Sequence, residues 1–175
     1  WHYSTAIGNQ TDAGWDYSTA MWKSTDASWD YSIAVGNGTN ADWLNSTAMG
    51  VDSQALGDFS TAMGRYTWAN WDEATSMGRQ THASWIRSTA MGMLSSAEWE
   101  SSTAMGYNTK AIGDYSTSIW YRSRAKTDYS TIVWKNGQNC VDDVFSVAYG
   151  WVGGVPGNEE SPCSWLVFRV QKDWH

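Results

Sequence analysis

Three histidines, two cysteines and one recurrent acidic position are the side chains with the widest chemical reach in this chain. His2, His82 and His175 stand far apart, and none has metal-ligand spacing to another or to a cysteine. They read as solvated side chains rather than as bases or ligands. Cys140 and Cys163 lack the close pairs of a zinc site. They could close one disulfide or stay two free thiols, and two cysteines do not reveal the redox compartment. Serine is abundant, yet no Gly-x-Ser-x-Gly elbow occurs. The glycine-rich runs lack the lysine and helix start of a phosphate loop. The sequence therefore predicts no catalytic residue, no metal, no cofactor and no enzyme. One acidic file remains: Asp16, Asp30, Asp58, Asp72, Glu100, Asp114 and Asp128, interrupted by Leu44 and Ile86. Stacked carboxylates could gather a cation. Turn hydrogen bonding in water is the expected role instead.

What positions these residues is a repeat. Ser-Thr-Ala-Met-Gly occurs at 46–50, 60–64, 88–92 and 102–106. Variants stand at 4–8, 18–22, 32–36, 74–78, 116–120 and 130–134, so the period is 14 over ten copies without a slip. A half-period of seven lies inside it. Positions 1, 8, 15 and onward to 134 are nine Gly, ten Trp and Thr127. Each unit thus reads as two short strands and two turns. A coiled coil would need large apolar residues at two heptad positions and no glycine. Gly, Ser and Thr are poor helix formers. A β-solenoid with one coil per 14 residues is the expected fold, with no helix over about two turns before residue 135.

The columns locate the faces. Thr11, Thr25, Thr39, Ser53, Thr67, Thr81, Ser95, Thr109 and Ser123 form one restricted column. Ala13, Ala27, Ala41, Ala55 and their equivalents to Ala125 form another. Between them the residue varies: Asp12, Asp26, Asn40, Gln54, Trp68, His82, Ser96, Lys110, Arg124. Strand side chains alternate faces, so this strand has a cramped inner face and a solvent face. In the other strand Ser and Ala, such as Ser46 and Ala48, alternate with Thr and Met, such as Thr47 and Met49. If Ser and Ala fill a narrow coil, Thr and Met point out of it. The opposite arrangement would put Met inside. An apolar file on a surface must be covered. Self-association through Met49, Met63, Met77, Met91 and Met105, with Thr47 and Thr61, is the expectation.

Composition agrees with a coil lacking a bulky core. Leu, Ile, Val and Phe make up 13% of the 175 residues, below the roughly 20% of ordinary layered domains. The net charge of −7 has no acidic or basic block behind it. It argues against disorder and against a nucleic-acid face, which needs clustered Lys and Arg. No run of 18 apolar residues is present, so no membrane span or membrane contact is expected in this segment. No signal peptide is expected within this segment either. The chain opens at Trp1 in mid-pattern, as a piece of a longer or processed protein would.

Residues 55–64, Ala-Leu-Gly-Asp-Phe-Ser-Thr-Ala-Met-Gly, and 111–119, Ala-Ile-Gly-Asp-Tyr-Ser-Thr-Ser-Ile, resemble the head repeats of YadA-like trimeric autotransporter adhesins. The resemblance covers residues 1–134. It implies a left-handed parallel β-roll, a homotrimer, extracellular display and adhesion. Similar repeats occur in tail-fibre proteins. One departure stands out: tryptophan occupies sites where that family has glycine. Glycine at a tight turn supplies φ > 0 or close backbone approach, and tryptophan supplies neither. No single turn geometry is expected to accept both. Three explanations stand open: a displayed Trp ladder, UGA codons that mean glycine but were translated as tryptophan, and engineering. Lys172-Asp173-Trp174-His175 and Tyr149-Gly150-Trp151-Val152-Gly153 show the same substitution outside the lattice.

The lattice stops at Trp134. Residues 135–140 read as a polar turn, 144–149 and 166–170 as strands, and 150–164 as a Gly/Pro loop. Seven of the ten valines lie beyond residue 134. A solenoid end exposes unpaired strand edges, so 135–175 is expected to be a β cap and connector continuing into a further segment. Its Phe-Ser-Val and Phe-Arg-Val runs resemble a passage of tail-fibre proteins that carry a C-terminal chaperone. A Cys140–Cys163 clamp there is an open alternative to two thiols.

The function these residues support is a segment of an extracellular fibre or adhesin. It would attach to a host or neighbouring cell-surface receptor or matrix and space a tip from its anchor. Ten coils at about 4.8 Å each give a rod of roughly 45–50 Å. Trp68, His82, Lys110 and Arg124 in the variable column are the candidate contacts. A viral tail-fibre segment with the same fold is the alternative, which would place it on a virion. An ice-binding solenoid is a remoter one, since the Thr file from Thr5 to Thr131 is broken by Ile33 and flanked by Met.

Overall fold

Four small inward residues per repeat leave room for only a narrow coil, and that is what forms. The computed structural model describes residues 2–139 and 145–147. Every regular element among them is a β-strand. A representative coil runs through strand Thr47–Val51, a turn at Asp52, strand Gln54–Ala55 and a corner ending at Phe59. Asp52 and Phe59 take φ of 50° and 56°, the left-handed conformation that reverses the chain. Their amides donate to Asn37 and Leu44 carbonyls at 2.8 and 2.9 Å, so even the turns bond to the preceding coil.

All pairing is parallel, with each residue opposite its equivalent 14 positions on. Thr47 pairs Thr61, Ala48 pairs Ala62, Met49 pairs Met63 and Gly50 pairs Gly64. The short strands pair likewise, Ala41 with Ala55 and Ala55 with Ala69. Backbone groups are thereby satisfied between coils without a bulky core.

The inner face is the small one. Ala48, Ala62 and Ala90 of the long strands are fully buried, as are Ala41, Ala55 and Ala69 of the short strands. The buried Ser and Thr columns complete the lining. The serine before each long strand also closes the corner. Ser46 Oγ donates to the Trp43 carbonyl at 2.6 Å and accepts the Trp43 N–H at 3.2 Å. Ser32, Ser88 and Ser102 repeat this pattern. Small volume is required there and the hydroxyl adds a bond across the corner; Ala74 fills the same site without one.

The two half-period sites have different geometries. Sites that end a long strand have φ between 104° and 142° from position 8 to position 120. The corner sites that hold Trp15, Trp29, Trp43, Trp71, Trp85 and Trp99 show no positive φ. The corner tryptophans keep an ordinary φ and leave their rings outside, although at Gly57 and Gly113 of the same file a Cβ would fall 2.1–2.2 Å from the next coil's backbone.

The last described coils hold larger interior side chains. Ile132 replaces alanine and is fully buried, and Trp134 is only 6% exposed. Trp134 therefore belongs to the interior and offers no outward contact. The ladder also runs on past Trp134. Within 135–140, read above as a polar turn, Gln138–Asn139 pairs with Arg124–Ala125. Phe145–Val147 pairs with Thr131–Val133. Cys140, Cys163 and the 166–170 run lie outside the described residues.

Candidate functional site

The long strands alternate Ala inward with Thr and Met outward, so the outer side of the sheet carries two parallel files. Thr47 and Thr61 are half-buried by their neighbours, as are Met63, Met77, Met91 and Met105. Met49 is 36% exposed and Ile7, at the first coil, 57%. Direct pairing of Met49, Met63 and Met77, and of Met77, Met91 and Met105, makes the file continuous. The residues assigned from sequence to association thus share one face of one chain.

The variable column stands on the short strands. Trp68 and His82 are paired across coils and stack with centroids 4.4 Å apart. Lys110 and Arg124 pair directly, two coils further on. The four lie along one file rather than in one pocket. Burial lowers the His82 pKa below the usual imidazole value, and the Glu98 carboxylate opposes that only in part. The imidazole resists protonation in the fold, so stability declines as pH falls below the ordinary histidine range.

Sequence reasoning missed the partners beside this file. Residues two positions on point the same way along the strand. Ser84 and Glu98 therefore stand beside His82 and Ser96, and with Trp85 and Trp99 they line a shallow groove. Lys110 Nζ is 3.5 Å from Glu98 Oε1, a partly exposed pair of small energetic weight. A second groove beside Arg124 is lined by Asn108, Arg122, Asn136 and Gln138. The period-two pattern contained this signal. Asp42 sits at an equivalent outward site; burial, and then the Asp26 charge, raises its pKa.

The acidic file is a hydrogen-bond ladder. Asp58 Oδ1 accepts the Leu44 N–H at 3.1 Å, and Asp72 Oδ1 accepts the Asp58 N–H at 3.0 Å. Asp16, Asp30, Asp114 and Asp128 do the same for the coil before each. Each of these aspartates caps the backbone of the coil before it, whereas the Glu100 carboxylate pairs with Arg87. Among the described residues no group of three or more His, Cys, Asp or Glu side chains could hold a metal ion. Chelating divalent cations with EDTA is therefore expected to leave the melting temperature unchanged. A fall that added calcium reverses would assign the file to a cation.

Comparison with known proteins bears on the coil itself. A family model described as the YadA head domain repeat matches twice, at residues 44–67 and 100–119. Residues 44–67 and 100–119 are thus similar to YadA head repeats. The first match contains Thr47, Met49, Thr61 and Met63, and the second contains Met105. Comparison with curated proteins finds no match. Among solved structures, the collagen-binding domain of the Yersinia adhesin YadA is similar at 20% identity and a TM-score of 0.40. The alignment covers 91% of this chain and 82% of that one. The coils form an all-β parallel solenoid with a 14-residue period.

Proposed function

We propose that this chain is the head of an extracellular, cell-surface adhesin, working as a homotrimer. The carrying observation is a YadA head repeat whose outer sheet face holds an unbroken apolar file. Three chains packed on that face would cover Met49, Met63, Met77, Met91 and Met105. Thr47 and Thr61 would line the same seam. The rod then holds its far end away from the anchor. The variable file of each chain faces outward and meets a receptor or matrix component. Three identical files raise overall avidity by about 10²–10⁴ over one, provided the ligand can engage them together.

Collagen is the first matrix ligand to test, since it is the ligand of the similar Yersinia domain. Immobilised collagen, laminin and fibronectin should be probed with the purified chain. Saturable binding to one of them is expected. Lys110→Ala with Arg124→Ala should weaken that binding at least tenfold and flatten its salt dependence, with the fold intact by circular dichroism. Unchanged binding by the double variant would move the contact away from this file. Absence of binding to matrix, cells and glycans alike would overturn the adhesive function.

A further inference from the structure

The strand-end file is built for glycine. Gly8, Gly36, Gly50, Gly64, Gly78, Gly92 and Gly106 have φ of 108–142°. A Cβ built on any of them would fall 1.7–2.1 Å from the carbonyl oxygen of the next coil. That contact is with backbone and cannot be relieved by a rotamer. Three tryptophans stand in the same file: Trp134, which packs inside without a positive φ, and Trp22 and Trp120, which keep the glycine geometry. Trp22 has φ of 106° and Trp120 of 104°. Every other non-glycine residue with positive φ lies between 50° and 62°, in the left-handed helical well. Trp22 and Trp120 lie far outside that well, where side-chain-bearing residues are strained.

The coil makes no accommodation for them. Trp22 pairs Gly8 and Gly36 in register, and Asn9–Lys23 and Lys23–Asn37 continue the ladder. Trp120 pairs Gly106, with Tyr107–Tyr121 following. No bulge or shift absorbs a side chain. The indoles contribute no interior packing in return, being 73% and 50% exposed. A large residue that strains the backbone and fills no space has no structural reason to recur at one site of an otherwise regular solenoid. Ten of the 14 tryptophans fall on the half-period lattice, where every other residue but Thr127 is glycine.

We infer that glycine occupies positions 22 and 120 in the protein made by its own cell, inserted at UGA codons. UGA differs from the tryptophan codon UGG only in its third base. A glycine-charged tRNA that reads UGA would place glycine wherever standard decoding places tryptophan. The same substitution then applies along the whole lattice. The native rod lacks its outer indole ladder, and in the variable file glycine would stand at Trp68, leaving His82, Lys110 and Arg124 as the side chains available for contact. This inference does not depend on the adhesive function.

The test uses the native protein and its gene. Trypsin releases residues 111–122 by cleavage after Lys110 and Arg122, with Trp120 as the peptide's only tryptophan position. Tandem mass spectrometry of that peptide should read glycine, and the gene should carry UGA at codons 22 and 120. Tryptophan in the peptide, or UGG at these codons, would overturn the inference. The strain argument has its own check. A recombinant chain with Trp22→Gly and Trp120→Gly should melt several degrees above the tryptophan form. An equal or lower melting temperature would remove the physical basis.

Discussion

Replacing Met63 and Met77 together with aspartate is expected to abolish assembly, leaving monomers or unfolded chain. The two side chains are directly paired neighbours in the outer apolar file. Full burial of a methionine contributes about 1.5–3 kcal/mol, and three chains would contribute six such side chains. Aspartate removes that term and gathers six carboxylates near one axis, where desolvated like charges repel strongly. The coil interior cannot compensate, because its apolar lining is almost entirely alanine. Sedimentation velocity over a range of concentrations measures the outcome. Gln54→Asp, on the opposite side of the coil wall, adds charge without touching the seam and should leave assembly intact. A trimeric and equally stable double variant would mean that the Met face is not the interface.

Ala55→Leu is expected to cost about 1–3 kcal/mol by overpacking. Ala55 is fully buried, and stacks directly between Ala41 and Ala69. A leucine there meets the alanines of both adjacent coils, which have no side-chain rotamer to yield. Spreading two coils apart would break the parallel ladder on either side. Thermal or denaturant unfolding should show a clearly lowered midpoint. An unchanged midpoint would place the Ala column outside the coil and invert both faces.

Much of this was legible in the sequence because the coil is strict about volume. A position that accepts only Ala, or only Ser and Thr, over nine or ten repeats reports a confined site. Positions such as Asp12 to Arg124 tolerate any side chain because they face water. The alternation of the two kinds separated two faces, and burial of the Ala and Ser columns makes them the inner one. Other features depend on geometry that residue types do not encode. Gly and Trp occur at both half-period sites, yet only the strand-end site requires φ above 100°. The bias was visible in retrospect: glycine dominates at the strand end and tryptophan at the corner. The Asp ladder could be predicted as turn hydrogen bonding. Its acceptance of an amide from the preceding coil follows from how the corners stack. Gln138–Asn139 joins the ladder although neither residue fits the Thr or Ala column, so the pattern ended before the strands did.

The Met file and the adhesive rod stand or fall with the stoichiometry of the chain. Light scattering of the unaltered chain after gel filtration, repeated across a wide concentration range, counts the chains per particle. Three per particle are predicted, with refolding yield rising with protein concentration because folding and assembly are coupled. A stable, folded particle of one chain at every concentration would contradict the trimer and leave the Thr and Met files as an exposed surface of a self-sufficient coil.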